Sequence, residues 1–203
     1  MARPREFEEA AVLEAAMSLF WRKGFEATST RDLGEAMGLS TASLYNAYGD
    51  KRSLYRRVLA RYSADALAWC HATLSGPGPA RDALRRFFDS IGQATLAQVD
   101  PRGCLLVNTG LELAPHDPEF QAVVADVFRQ IEASLRSCIE RGQHDGSVAQ
   151  GLSAADLASL LLGQMLALRV LARGAPELGL VHGMVGAVDA LLDPTGFDPM
   201  RHP

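Results

Sequence analysis

Apolar residues recur along this chain three and four positions apart, the period of a helix with one buried face. Val12, Leu13, Ala16, Leu19 and Phe20 give such a face to the segment 6–23, and Gly24, free to turn left-handed, closes it. Ser29 then stands as an N-cap, with Asp32 in the first turn of a helix over 30–37 expected to bury Leu33, Ala36 and Met37. Gly38-Leu39-Ser40 makes a turn, Ser40 caps a short helix over 41–47, and Asp50 caps a long one from Lys51 to about Leu74. Ser75-Gly76-Pro77-Gly78-Pro79 is the strongest breaker in the chain and ends that long helix. Further helices are predicted at about 80–98, 104–114, 118–142, 154–174 and 176–192. Pro118 and Pro176 each suit a first helical position, and Ser153 caps the eighth helix. No sustained alternation of β-branched residues marks a strand. The expected fold is all-α with about nine helices. A head over 6–61 carries three short helices, a helical body follows over 62–192, and 193–203, with three prolines, is expected to fray.

Three short helices joined by a tight glycine turn have the layout of a helix-turn-helix, whose second helix enters a DNA major groove. The letters sharpen this. Residues 28–55 read TSTRDLGEAMGLSTASLYNAYGDKRSLY. The stretch resembles the DNA-binding head of the TetR family through Thr28-Ser29, Arg31-Asp32-Leu33, Gly38-Leu39-Ser40, Leu44-Tyr45, Tyr48 and Lys51. Ala16, Phe20, Gly24 and Phe25 also fall where that family places them. The resemblance covers about 6–60; it implies a DNA-binding transcriptional regulator, by default a repressor, that binds a palindromic operator as a homodimer.

Each position has a physical reason. Ser29, Thr30 and Arg31 open a helix whose free amides, hydroxyl and long cation can meet a backbone phosphate. Arg31 could alternatively reach a guanine edge. Lys51 offers a phosphate a mobile charge at the start of the fourth helix, or only balances Asp50; Tyr45 offers a hydroxyl while its ring packs on the head. Thr41, Ala42, Ser43 and Asn46 lie on the exposed turns of the recognition helix. There Ala42 permits close approach to a thymine methyl, Thr41 and Ser43 serve either base type, and Asn46 suits adenine. Leu33, Leu39, Leu44 and Tyr48 read as core, and Arg56, Arg57 and Arg61 as a solvated face. Arg3 and Arg5 read as a solvated tail, with a minor-groove contact as the alternative.

The net charge of −4 argues against DNA until its distribution is considered. Residues 1–61 carry ten Lys/Arg against eight Asp/Glu, and residues 62–203 carry ten against sixteen. A mildly basic head sits on an acidic body that phosphate would repel. No apolar run is expected to reach a membrane span of ~18 residues, and MARPREFEEA lacks a signal-peptide core. Cys70, Cys104 and Cys138 are scattered and odd in number, fitting reduced thiols and a cytoplasmic location.

In the body, a stripe of Leu157, Leu160, Leu161, Gln164, Leu168 and Leu171 and another of Val181, Met184, Val185, Val188, Leu191 and Leu192 suggest a dimeric four-helix bundle over 154–174 and 176–192. Closing the monomer core is the alternative. Gly163, Gly183 and Gly186 would allow close approach. The resemblance implies a small-molecule cavity in the middle helices. Its candidate lining is Trp69, Phe87, Phe88, Ile91, Cys104, Leu105, Asn108, Leu111, Phe120, Val124, Phe128 and Met165, each of which taken singly reads more readily as plain core. Arg102-Gly103-Cys104-Leu105-Leu106-Val107-Asn108 resembles a branch of TetR-like regulators with cysteine sensors, which implies an electrophile at Cys104 as a second kind of effector; a buried, inert cysteine is the alternative and the favoured reading. No cofactor and no metal is expected; Cys70-His71 are adjacent on a helix and point apart. An enzyme is disfavoured because GxSxG, P-loop, HExxH and strand-borne GxGxxG motifs are all missing. A helical scaffold that ignores DNA is the remaining rival.

Overall fold

The computed structural model describes residues 3–97, 102–174 and 177–195, with side chains from Glu9 onward. The helices are α1 (Arg3–Lys23), α2 (Thr30–Met37), α3 (Thr41–Tyr48), α4 (Lys51–Leu74), α5 (Ala80–Leu96), α6 (Leu105–Glu112), α7 (Pro118–Asp145), α8 (Ala154–Leu171) and α9 (Leu178–Leu192). No strand occurs among the described residues. The predicted 118–142 helix runs three residues further, to Asp145, and ends at Gly146 in the left-handed conformation. Pro176 and the end of the tail, from residue 196, lie outside the described residues.

Local chemistry sets the short helices. Ser29 accepts from the Asp32 amide while Asp32 accepts from the Ser29 amide, a reciprocal cap at the start of α2. Gly38, at φ 64°, turns the chain out of α2, and the Leu39 amide closes the turn on the Gly34 carbonyl. Ser40 caps α3 through the Ser43 amide, and Asp50 caps α4 through the Ser53 amide. The head buries Ala16, Phe20, Leu33, Met37, Leu44, Tyr48 and Leu54. Ala36, expected in the core, is exposed; Gly34 lies inside instead, where the turn after α2 folds back so closely that a Cβ would stand 2.8 Å from the Leu39 carbonyl. Leu39 is only half-buried.

In the body, α5 is a central post whose Ala80, Leu84, Phe87, Phe88 and Ile91 are fully buried and which packs against α4, α7, α8 and α9. Helix α8 departs from expectation in two ways. Its 18 residues average a hydropathy of 1.5, so by length and composition alone it is long and apolar enough to cross a membrane, although Asp156, Gln164 and Arg169 interrupt it. Leu157, Leu161 and Leu168 of the stripe assigned to a dimer face the monomer's own core, as do Val181, Val188 and Leu192 of α9. The outward faces carry Leu160 and Val170 on α8 and Leu178 and Leu180 on α9, each about half exposed. A Cβ built on Gly163, Gly179, Gly183 or Gly186 would meet nothing within 4 Å.

Candidate nucleic-acid interface and its link to the body

Helix α3 is an exposed rod anchored by two side chains. Leu44 is fully buried and Tyr48 is 9% exposed, whereas Thr41, Ala42, Ser43, Tyr45, Asn46 and Ala47 are all exposed. The spacing of four between the anchors leaves the rest of the two-turn helix free to face a partner. Tyr45 projects with 47% exposure. Ser43 shares a 2.9 Å hydroxyl–hydroxyl hydrogen bond with Ser40 and lines a groove with Val12, Ala47, Tyr48 and Arg57, so it lies on the α1 side of the rod. On α2, Thr30 is half-buried and Arg31 is strongly exposed, its guanidinium held by Glu35 one turn on at 3.0 Å. The Asp32 carboxyl is pulled down to about 2, first by the Ser29 amide and then by Lys23, whose ammonium lies 3.0 Å away.

Lys51 balances the loop before α2 rather than Asp50. Its ammonium donates to the carbonyls of Phe25 at 3.0 Å and Thr28 at 3.2 Å and sits 4.2 Å from the Phe25 ring centroid. An ammonium has three donors, so the two carbonyls leave a third N–H. The arginines read as a solvated face are paired in part: Arg56 reaches Glu119, and Arg57 reaches Glu9 and lies over the Tyr48 ring. The side chains of Arg3 and Arg5 lie outside the described residues.

The head is joined to the body along the first half of α4. Arg52 donates to both carboxylate oxygens of Asp117 and to Glu119, so these acids do more than start α7. Asp117 also caps α7 through the Glu119 amide. Tyr55, fully buried, packs edge-on against Phe20, Phe25 and Phe120 and hydrogen-bonds Thr109 of α6. Glu112, also on α6, accepts from the Phe25 and Glu26 amides at 3.0 and 2.8 Å. The sequence gives no signal for Tyr55, Thr109 or Glu112, whose partners lie 54 to 87 positions away.

The expected cavity residues do not converge on one site. An open apolar groove of about 460 Å³ between α6, α7 and α8 is lined by Val107, Leu111, Val124, Phe128, Leu166 and Val170, with Gln121 as a polar lining residue. Of the candidates it brings together Leu111, Val124 and Phe128. Phe88 and Met165 are core, and Trp69 is 38% exposed and stacks on Phe87 at 4.9 Å. The Asn108 side-chain amide finds the partner it needs in the Arg102 carbonyl at 3.0 Å. Cys104 is buried at the start of α6 and accepts a 3.4 Å hydrogen bond from the Tyr62 hydroxyl, which burial pushes far up from its ordinary pKa. The Arg102 guanidinium lies over Trp21 and reaches Ser18. No cluster of three or more metal-ligating side chains occurs among the described residues.

Known proteins place this geometry. Residues 12–58 match the model of the bacterial regulatory proteins of the tetR family, and residues 77–175 match that of a tetracyclin repressor-like C-terminal domain. The chain is 28% identical over 194 residues to the uncharacterized HTH-type transcriptional regulator YezE of Bacillus subtilis, covering 95% of this chain and all of the relative. It is 31% identical over 160 residues to the HTH-type transcriptional repressor ComR of Escherichia coli, covering 78% and 76% of the two chains. A cysteine mutant of the TetR family regulator CifR, solved with 26-base-pair operator DNA, superposes with a TM-score of 0.75 at 27% identity, covering 87% of this chain and 94% of that one. The reduced form of E. coli NemR, at 19% identity, shares the fold with a TM-score of 0.80, covering 93% and 99%. An exposed α3, the capped helix before it and these matches across both parts of the chain converge: the protein belongs to the TetR family of DNA-binding transcriptional regulators, not to an enzyme family.

Proposed function

We propose that the protein is a cytoplasmic repressor that binds a palindromic operator as a homodimer and leaves it when an effector occupies the body. The observation that carries this reading is α3 itself, a rod held by Leu44 and Tyr48 that exposes Thr41, Ala42, Tyr45 and Asn46 together. Asn46 reads adenine, Ala42 admits a thymine methyl, and Thr41 and Ser43 serve either base type. Ser29, the amides of Thr30 and Arg31, the Tyr45 hydroxyl and the free N–H of Lys51 hold phosphates on either side and set register. The CifR complex with operator DNA supports the same use of this head.

Two heads are needed because one α3 reaches only a few base pairs. The outward faces of α8 and α9, with Leu160, Val170, Leu178 and Leu180 beside glycines open to close approach, suit a two-fold four-helix interface. The recognition helices would then lie one helical turn of DNA apart, ~34–36 Å, or a multiple of it. The groove between α6, α7 and α8 suits an apolar small molecule met by Leu111 and Phe128, with Gln121 to orient it. Cys104 heads the same α6, so an electrophile that alkylates its sulfur would disturb the helix that touches the head. Coupling of ~1–3 kcal/mol would weaken operator binding about 5- to 150-fold.

Selection of bound duplexes from a random pool tests the reading. Enrichment of a palindrome whose half-sites are spaced by whole helical turns is the expected result. A pool that enriches nothing at moderate salt overturns it. Electrophile response is tested separately: Cys104→Ser retaining full release by every electrophile that frees the wild type removes the thiol from the account.

A further inference from the structure

We propose that Glu112 is a positioning residue for operator binding: from α6 its carboxylate grips the loop between α1 and α2 and fixes the orientation of the helix-turn-helix on the body. The inference rests on the head being the operator-binding unit.

The two oxygens of Glu112 take one amide each, from Phe25 at 3.0 Å and Glu26 at 2.8 Å. These amides follow the end of α1, where no helix of the head supplies them with acceptors. Gly24, at φ +85°, presents them toward α6, and a Cβ there would stand 2.9 Å from the Glu112 carboxylate, so glycine leaves the room the grip needs. The opposite edge of the loop is held by Lys51, which donates to the Phe25 and Thr28 carbonyls. A carboxylate from the body and an ammonium from α4 therefore clamp one six-residue loop, amides on one side and carbonyls on the other. Thr28 is tied back to the Gly24 carbonyl at 2.6 Å and leads directly into Ser29, the cap of α2. Wherever the loop is held, α2 and the turn into α3 follow.

Helix α6 is also the wall of the apolar groove, through Val107, Gly110 and Leu111. It is short, eight residues, so displacement of the groove wall displaces Glu112 with it. The grip thus gives the body a direct hold on the head, in addition to the length of α4.

Simple electrostatics and the grip predict opposite signs. A carboxylate beside the head repels phosphate, so removing its charge alone raises affinity for DNA. Loss of the grip lets the head wander and lowers it. The test uses the full-length protein with Glu112→Ala and the near-isosteric Glu112→Gln, which keeps one acceptor oxygen and covers the case that the alanine variant fails to fold. Amide hydrogen exchange at Phe25 and Glu26 and operator affinity by fluorescence anisotropy are read together. The expected result for Glu112→Ala is at least tenfold faster exchange at both amides, unchanged protection around Leu135 and Ile139, and operator binding weakened about tenfold. Glu112→Gln falls between it and wild type. Equal or tighter operator binding by both variants overturns the positioning role. Unprotected Phe25 and Glu26 amides in the wild type overturn the grip itself, and a wild type that binds no duplex overturns the operator reading and the positioning role while leaving the exchange measurement to decide the grip.

Discussion

The hydroxyl of Tyr55 donates to Oγ1 of Thr109 across 2.8 Å, with both residues buried. The direction follows from the second bond of Thr109, whose only proton goes to the Leu105 carbonyl at 2.7 Å. A side chain on α4 that packs on the head's Phe20 and Phe25 is thereby tied to α6. Tyr55→Phe keeps the ring packing and removes this tie, so it should cost about 1 kcal/mol, measured by denaturant unfolding at fixed protein concentration, since the stability of the proposed dimer would depend on it. Burial holds the Tyr55 hydroxyl up at about 12 against an ordinary 10.0. The folded state disfavours the phenolate, so its contribution is complete below pH 10 and is lost as pH rises toward 12. The alkaline fall in stability should be shallower in Tyr55→Phe; an unchanged alkaline limb would contradict the assignment.

Lys51→Met should show two effects at once. Losing the two carbonyl bonds and the Phe25 contact loosens the loop before α2 and lowers thermal stability. Losing the remaining N–H would remove the proposed phosphate contact, so the slope of log affinity against log salt should fall by about one. A stability loss with an unchanged slope would confine Lys51 to the loop.

The cap of α2 has an acid signature. Asp32 titrates near 2 when folded against 3.8 ordinarily, so its contribution is present above the higher value and disappears as pH falls toward the lower. Asp32→Asn should be less stable than wild type at neutral pH, and the gap in denaturant midpoint should narrow as pH drops below about 4. A gap that stays constant with pH would rule out the charged cap as its source.

Gly183→Leu tests the outward face of α9. The side chain points into open space in the single chain, so monomer folding should survive. If two copies approach there, the variant should sediment as a monomer and lose operator affinity by more than tenfold. A dimer that persists would move the interface elsewhere.

Local chemistry made much of the fold legible. Ser29, Ser40 and Asp50 announce three helix starts because each cap involves residues three positions apart. The exposed letters of α3 follow once Leu44 and Tyr48 are recognised as anchors. What the sequence hides is non-local or two-sided. Glu112 and Phe25 lie 87 positions apart, and nothing near either residue marks the pair. Helices α8 and α9 are apolar on both faces, so periodicity alone could not say that Leu157, Leu161 and Leu168 turn inward and Leu160 and Val170 outward. Arg52 looks like one more basic residue on a helix until folding brings Asp117 and Glu119 beside it.

The central claim is that α3 lies in the major groove and is presented twice. Ala47 is exposed on the flank of α3, so a cysteine there can carry a tethered DNA-cleaving reagent without replacing a proposed base-reading side chain, and the three native cysteines are buried. On the selected duplex, the account predicts two symmetric clusters of cuts whose centres are separated by whole turns, about 10–10.5 base pairs or a multiple. Scattered cuts, or a single cluster with no symmetric counterpart, would contradict it.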